Sequence, residues 1–197
     1  MHSLLDAVAT GRIKAAAINW PRQVRLMNND DLRVRDHARR VLTTPDTGDR
    51  QQVVERYKAA LEAGGDAVHG EKIFDRACRQ CHQIQGKGVN FGPDLASIRN
   101  REPQFILADI LHPNRSIADA YEFWSVTLKN GSAVSGLIAS ETSTSVTLKD
   151  LAGQTRTIPR SDIVSLQSSD VSVMPEGLEN SVNVEQMRDL LAFLKKH

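Results

Sequence analysis

The chain has two cysteines, Cys78 and Cys81, three residues apart, and His82 follows at once. No other feature of the 197 residues limits the fold so strongly. Disulfide-rich scaffolds need several cysteine pairs, so that class is excluded. A zinc site needs two further ligands, and His2, His37, His69, His112 and His197 show no zinc-like pairing. A dithiol redox site calls for a βαβ context, which the flanking pattern lacks. The reading that uses all three residues is Cys-x-x-Cys-His attachment of a c-type haem. Two thiols on one helical turn can each add across a haem vinyl group. The next residue is then aimed at the iron, where imidazole is the usual proximal ligand. The expectation is one covalent haem c on Cys78 and Cys81, with His82 on the metal.

The surrounding residues agree in kind and order. Asp66 can cap a helix carrying Gly70, Ile73, Phe74 and Ala77. After the motif, the Gly92-Pro93 turn can aim a backbone carbonyl at the second ring nitrogen of His82. That contact would fix the tautomer and raise ligand basicity, so Pro93 is counted with the cofactor residues. Asn100 can cap a helix with Pro103 early in it, burying Phe105, Ile106, Ile110 and Leu111 and stopping at Pro113. A last helix, residues 184–196, has Asn183 as its cap. Its apolar stripe is Val184, Met187, Leu190, Leu191 and Leu194, and Lys195 and Lys196 suit its C-terminal dipole.

A low-spin carrier needs a sixth iron ligand, and Met174 is the candidate. It sits in an irregular loop with Pro175 and Gly177, directly before the last helix. Met187 belongs to an apolar stripe and Met27 to the N-terminal helical region, so both read as core. His112 reads as a helix-end residue. His69 stands on the helix before the motif, where reaching the distal side is awkward.

Residues 1–61 read as helical. Leu4, Leu5 and Val8 share a face. Ile13, Ala17 and Ile18 suggest a second short helix broken by Pro21, and Leu32, Val34, Ala38, Val41 and Leu42 a third. Asp30 and Asp31 read as helix-start residues. Residues 44–48 punctuate the chain, and a helix over 50–63 follows, ended by Gly64 and Gly65. Residues 31–42 resemble the second helix of a HEAT-type repeat, the end of a longer array. They read equally as a helical cap on the haem domain. Residues 121–168 read as an antiparallel β meander inserted in a haem domain spanning 66–197. In it Asn130 and Gly131 form a hairpin turn with both residues at positive φ, and a possible fifth strand covers residues 163–166. The expected fold is thus mainly α with a small β insertion before the methionine loop, plus an N-terminal helical segment.

Formal charge is +1, which predicts no strong pull toward nucleic acid or anionic membrane. No stretch is long and apolar enough to span a bilayer. Residues 1–10 lack the pattern of a secretory signal. Since c-type haem is normally attached outside the cytoplasm, the expectation is a piece of a longer exported, periplasmic protein.

Gly70 and Phe74 on the helix before the Cys78 to His82 motif, with Phe193 on the last helix, resemble class I cytochrome c. More narrowly, Gly70 to Phe74, Cys78 to His82, Gly92 to Leu95, Ile110 to Asn114, Lys129 to Gly131, Gly136-Leu137 and Met174 to Leu178 are similar to the haem-binding domain of planctomycete and verrucomicrobial proteins. The resemblance covers about residues 66–197 and implies Cys78, Cys81, His82 and Met174 as the haem residues. It also implies a place at the end of a large exported protein, after HEAT-like helices and a propeller resembling sugar dehydrogenases. The expected function is single-electron transfer, with a sugar or alcohol dehydrogenase domain among the donors and an acceptor protein beyond. The competing function is a gas sensor or peroxidase-like enzyme with an open sixth position. Haem propionate partners are sought among Arg99, Arg101, Arg115, Tyr121 and Trp124.

Overall fold

Short polar side chains set where several helices begin. The computed structural model describes residues 2–43, 50–118 and 120–196. Among these, α1 is His2–Ala9, α2 Trp20–Met27, α3 Leu32–Leu42, α4 Arg50–Arg56, α5 Ala67–Ala77, α6 Pro103–Leu111 and α7 Val184–Lys196. Asn19 caps α2 by accepting from Arg22 N at 3.0 Å, Asp31 caps α3 through Arg33 N at 2.9 Å, and Asp66 caps α5 through Val68 N at 2.8 Å. At α7, Asn183 Oδ1 accepts from Gln186 N at 2.9 Å while Gln186 Oε1 accepts from Asn183 N at 3.1 Å, a reciprocal capping box.

Three helical expectations are corrected. Pro21 does not break a helix; it lies in the first turn of α2, where its missing N–H is not needed. The α-helix expected over 50–63 stops at Arg56 and passes into a 3-10 turn, Lys58–Leu61. The cap of α6 is Glu102 rather than Asn100, and Phe105 is 48% exposed because it falls off the face that carries Ile106, Leu107 and Leu111. The punctuation at 44–48 lies outside the described residues.

Helices α5 and α7 cross at Gly70. A Cβ there would stand 2.0 Å from the Asp189 carbonyl oxygen, so the approach demands glycine. Phe74 and Phe193 meet beside it, ring centroids 5.4 Å apart and tilted by 41°. Asp189, itself buried, ties the crossing: Oδ1 accepts from Asp66 N at 2.8 Å and Oδ2 lies 2.6 Å from His69 Nδ1. The apolar cluster around this crossing also takes in Leu5, Val24, Met27 and Leu42, so the N-terminal helices share one core with α5, α6 and α7.

The β part is larger than a small insertion, and the mainly α description gives way to a mixed one. A ribbon of β1 (Gln83–Ile84) and β2 (Lys87–Gly88) is followed by a five-stranded antiparallel sheet: β3 Glu122–Leu128, β4 Ala133–Glu141, β5 Ser145–Lys149, β6 Thr155–Pro159 and β7 Ile163–Ser172. The order β6-β5-β4-β3-β7 is not a simple meander. After a 3-10 turn, Arg160–Asp162, β7 crosses back to pair with β3, Val126 opposite Leu166 and Phe123 opposite Ser169. Strand β7 runs six residues past the expected fifth strand, with Ser168, Ser169 and Ser172 in the extra length. Those serines give no alternating apolar signal, so the backbone ladder, not side-chain burial, carries this part. At the first hairpin Gly131 has φ +81° and Asn130 does not share the left-handed region. Gly131 N donates to Leu128 O at 2.9 Å and Leu128 N to Ser132 O at 2.9 Å, a turn closed by a glycine bulge rather than the expected paired positive φ.

Val126, Leu128, Val146, Leu148 and Ile158 form the core of the sheet. A second small cluster, Phe91, Phe123, Leu137 and Val173, joins the sheet to the cysteine motif and to the loop after β7.

Candidate cofactor site

The motif continues the last turn of α5. Cys78 N donates to Phe74 O at 2.8 Å, Cys81 N to Cys78 O at 3.0 Å and His82 N to Cys78 O at 2.9 Å. The β1–β2 ribbon then folds the chain back, so that Phe91 N and Gly92 N both donate to Cys81 O, at 3.1 and 2.7 Å. That return presses Gly92 against the imidazole. A Cβ at Gly92 would lie 2.6 Å from His82 Cε1 and 2.8 Å from Nδ1. The next residue supplies the carbonyl: His82 Nδ1 donates to Pro93 O at 2.9 Å. A carbonyl only accepts, so the ring proton sits on Nδ1 and Nε2 keeps its lone pair. Burial pulls the His82 pKa below its ordinary value, partly opposed by the Pro93 contact, and favours the neutral ring a metal needs.

Cys78 and Cys81 are free thiols. Burial, with a smaller contribution from Cys81, pushes Cys78 up to about 12, and burial pushes Cys81 up to about 11. Both are therefore neutral thiols at ordinary pH.

Cys78, Cys81, His82, Pro93 and Met174 all line one crevice. The sequence-derived set is thus brought together, although Met174 lies far along the chain, in the loop after β7. That loop is braced on one side by Asn114, which accepts from Ser172 N at 2.7 Å and donates to Glu176 Oε1 at 3.0 Å. Farther on, buried Arg50 holds Glu179 in a two-point contact, 2.6 and 3.1 Å, and donates through Nε to Leu111 O at 3.0 Å. The competing methionines, Met27 and Met187, are fully buried in the helical core. His69 faces Asp189, and His112 ends α6 with its N–H on Ala108 O.

Of the proposed propionate partners, only Tyr121 reaches the crevice. Arg101 and Arg115 both engage Asp109, at 2.8 and 3.3 Å, Arg99 is exposed beyond the 3-10 turn Leu95–Ile98, and Trp124 packs on the sheet core. Sequence reasoning missed Trp20 and Val24, which bring α2 to the crevice wall, and it missed Phe91 and Gln80. The spacing of Trp20, Val24 and Met27 after the Asn19 cap marks an amphipathic helix, but nothing local says what its apolar face covers.

Whether haem fits is decided by the donors. The crevice holds two thiols, an imidazole with a free Nε2, a thioether and the buried Nε2 of Gln80, which has no partner among the described residues. The crevice is narrow, about 90 Å³. Across Val24, Gln80 and Cys81 it adjoins a wider cavity of about 600 Å³ between α2 and the sheet. The two together reach the scale of cofactor sites, about 300–1,000 Å³. The residues fit the group.

Residues 67–144 match the family model described as Cytochrome c. No curated protein matches the chain. The matched segment holds α5, the Cys78 to His82 motif, the Gly92-Pro93 return and α6, and it stops short of Met174. It supports a c-type cytochrome domain. Such a domain implies covalently bound haem c, and Cys78 and Cys81 fit the attachment motif.

Proposed function

We propose, from the premise that residues 67–144 form a c-type cytochrome domain with covalent haem c, that this chain is a single-haem carrier of single electrons in which His82 and Met174 would ligate the iron. The observation that carries the reading is that both thiols, His82 and Met174 line one crevice. Haem supplies a one-electron redox change. The chain's part is to hold the group and shield it. His82 offers Nε2 because its Nδ1 proton is engaged by Pro93 O. Met174 would offer its thioether to the iron and so keep outside ligands away. Phe91, Leu137 and Leu178 give the crevice apolar walls that exclude water.

The chemistry the bound group would supply is acceptance of one electron from a donor and its release to an acceptor. We infer the donor to be a sugar or alcohol dehydrogenase domain, in the same longer protein or as a partner. Cytochrome c domains are typically exported, and we place this one in the periplasm or an equivalent exported compartment. On the same reading, residues 1–61 end a HEAT-like array that leads into the haem domain at about residue 66.

The test is the visible spectrum of the exported, mature protein beside its Met174→Ala variant. The native protein is expected to show a sharp c-type reduced spectrum, a far-red sulfur-to-iron band when oxidised, and no response to carbon monoxide. The variant is expected to lose that band and bind carbon monoxide. A native protein that is high-spin and binds carbon monoxide freely would move the assignment to gas sensing or peroxidase-like chemistry. Mature protein without haem would overturn it.

A further inference from the structure

A methionine side chain has three rotatable bonds, so its sulfur reaches a fixed point only when its backbone is fixed. The two carbonyls just before Met174 are held by residues of the N-terminal helices. Asn28, which ends α2 and is only 4% exposed, donates through Nδ2 to Val173 O at 3.0 Å and to Val24 O at 3.0 Å. Its Oδ1 accepts from Arg39 Nη2 at 2.9 Å. Arg39 also donates through Nη2 to Ser172 O at 3.3 Å and through Nε to Met27 O at 2.7 Å. The two side chains form one unit. It is anchored on the backbone of α2 at Val24 and Met27, its parts are bonded to each other, and it grips consecutive carbonyls of the loop. Val24 of the same helix also lines the crevice.

We propose that Asn28 and Arg39 are positioning residues for Met174, and that this clamp sets how firmly the thioether is held at the sixth position. The proposal rests on Met174 being the ligand. The chemistry at position 28 is demanding, because one side chain must donate to Val173 O and accept from Arg39 at the same time. A carboxylate of the same shape keeps the second contact and turns the first into a repulsion between oxygens.

The experiment compares full-length, haem-loaded native protein with Asn28→Asp, Arg39→Lys and Met174→Ala. Asn28→Asp is expected to retain its circular dichroism, weaken the far-red band, lower the reduction potential and speed carbon monoxide binding to the reduced protein about tenfold, as loss of one buried hydrogen bond would. Arg39→Lys, which keeps the charge but not the planar fork, is expected to fall between native and Asn28→Asp. A folded Asn28→Asp with native band, potential and carbon monoxide kinetics overturns the clamp. If that variant does not fold, Arg39→Lys decides, and native values there overturn it equally. Met174→Ala separates the two claims. If it leaves the band and the carbon monoxide response unchanged, the ligand assignment fails. If it opens the iron while Asn28→Asp does not, only the clamp fails.

Discussion

Two contacts and burial prepare the imidazole of His82, and each acts on a different property. Pro93 O fixes the tautomer, Gly92 fixes the ring's position by leaving it room, and burial sets its proton affinity. The last has a definite sign. The folded chain protonates His82 less readily than the unfolded one, so this residue costs stability as pH falls below the ordinary histidine value of about 6.5 and costs nothing above it. In the haem-loaded protein the proton competes poorly with the metal. The visible spectrum is expected to stay constant as pH drops through about 6.5 and to change only in stronger acid. A ligand-loss midpoint at or above that pH would contradict the assignment. Gly92→Ala puts a methyl group inside the contact distance of the ring. It is expected to tilt the imidazole and cost about 1–3 kcal/mol of stability, with a lower yield of haem-bearing protein. Haem content per chain, read from a pyridine haemochrome spectrum, checks this.

At the scale of elements, one buried cation joins α3 to the sheet. Arg35 donates to Ser135 Oγ at 3.2 Å and to Ser125 Oγ at 2.9 Å, and its guanidinium stands 5.3 Å from the centre of the Phe123 ring. Arg35→Leu is expected to lower stability by about 1–3 kcal/mol, measured by urea unfolding, because both serine hydroxyls lose a charged donor. Gly70→Ala is expected to cost more, since its methyl meets the backbone of α7 rather than a side chain that could move. How far such elements were legible varied with how local their cause is. The caps Asp31, Asp66 and Asn183 act within three residues, and the helices they begin were readable from the string alone. Pro21 misled because one residue type both breaks a helix and begins one. Strand β7 was cut short because its later residues are serines, whose pairing with β3 depends on a strand some forty residues earlier.

At the scale of the whole molecule, the cysteine motif was legible as chemistry and Met174 as a residue of the same crevice, but the wall that encloses them was not. Trp20 and Val24 reach the crevice by long-range packing, and Asn28 meets Val173 across 145 residues of sequence. No local pattern announces such a contact. Because Leu5, Val24 and Leu42 share a core with Phe74, Leu107 and Leu190, the N-terminal helices and α5, α6 and α7 are expected to melt as one unit. Far-ultraviolet dichroism and haem absorbance should then give coincident thermal transitions, whereas an early separate loss of helix would contradict the shared core.

The pairing of β7 with β3 also sets an order of assembly. The thiols and His82 lie within five residues and can engage haem on a chain that has barely begun to fold. Met174 cannot arrive until the chain has traversed β3 to β7 and closed back on α2, a span whose closure is entropically slow. On the proposed ligand set, a newly matured chain would therefore pass through a period in which Cys78, Cys81 and His82 hold the group while Met174 is still away. In that interval an exposed histidine of the same chain would compete for Met174's place, and stopped-flow refolding is then expected to show a slow phase that free imidazole or mild acid alters.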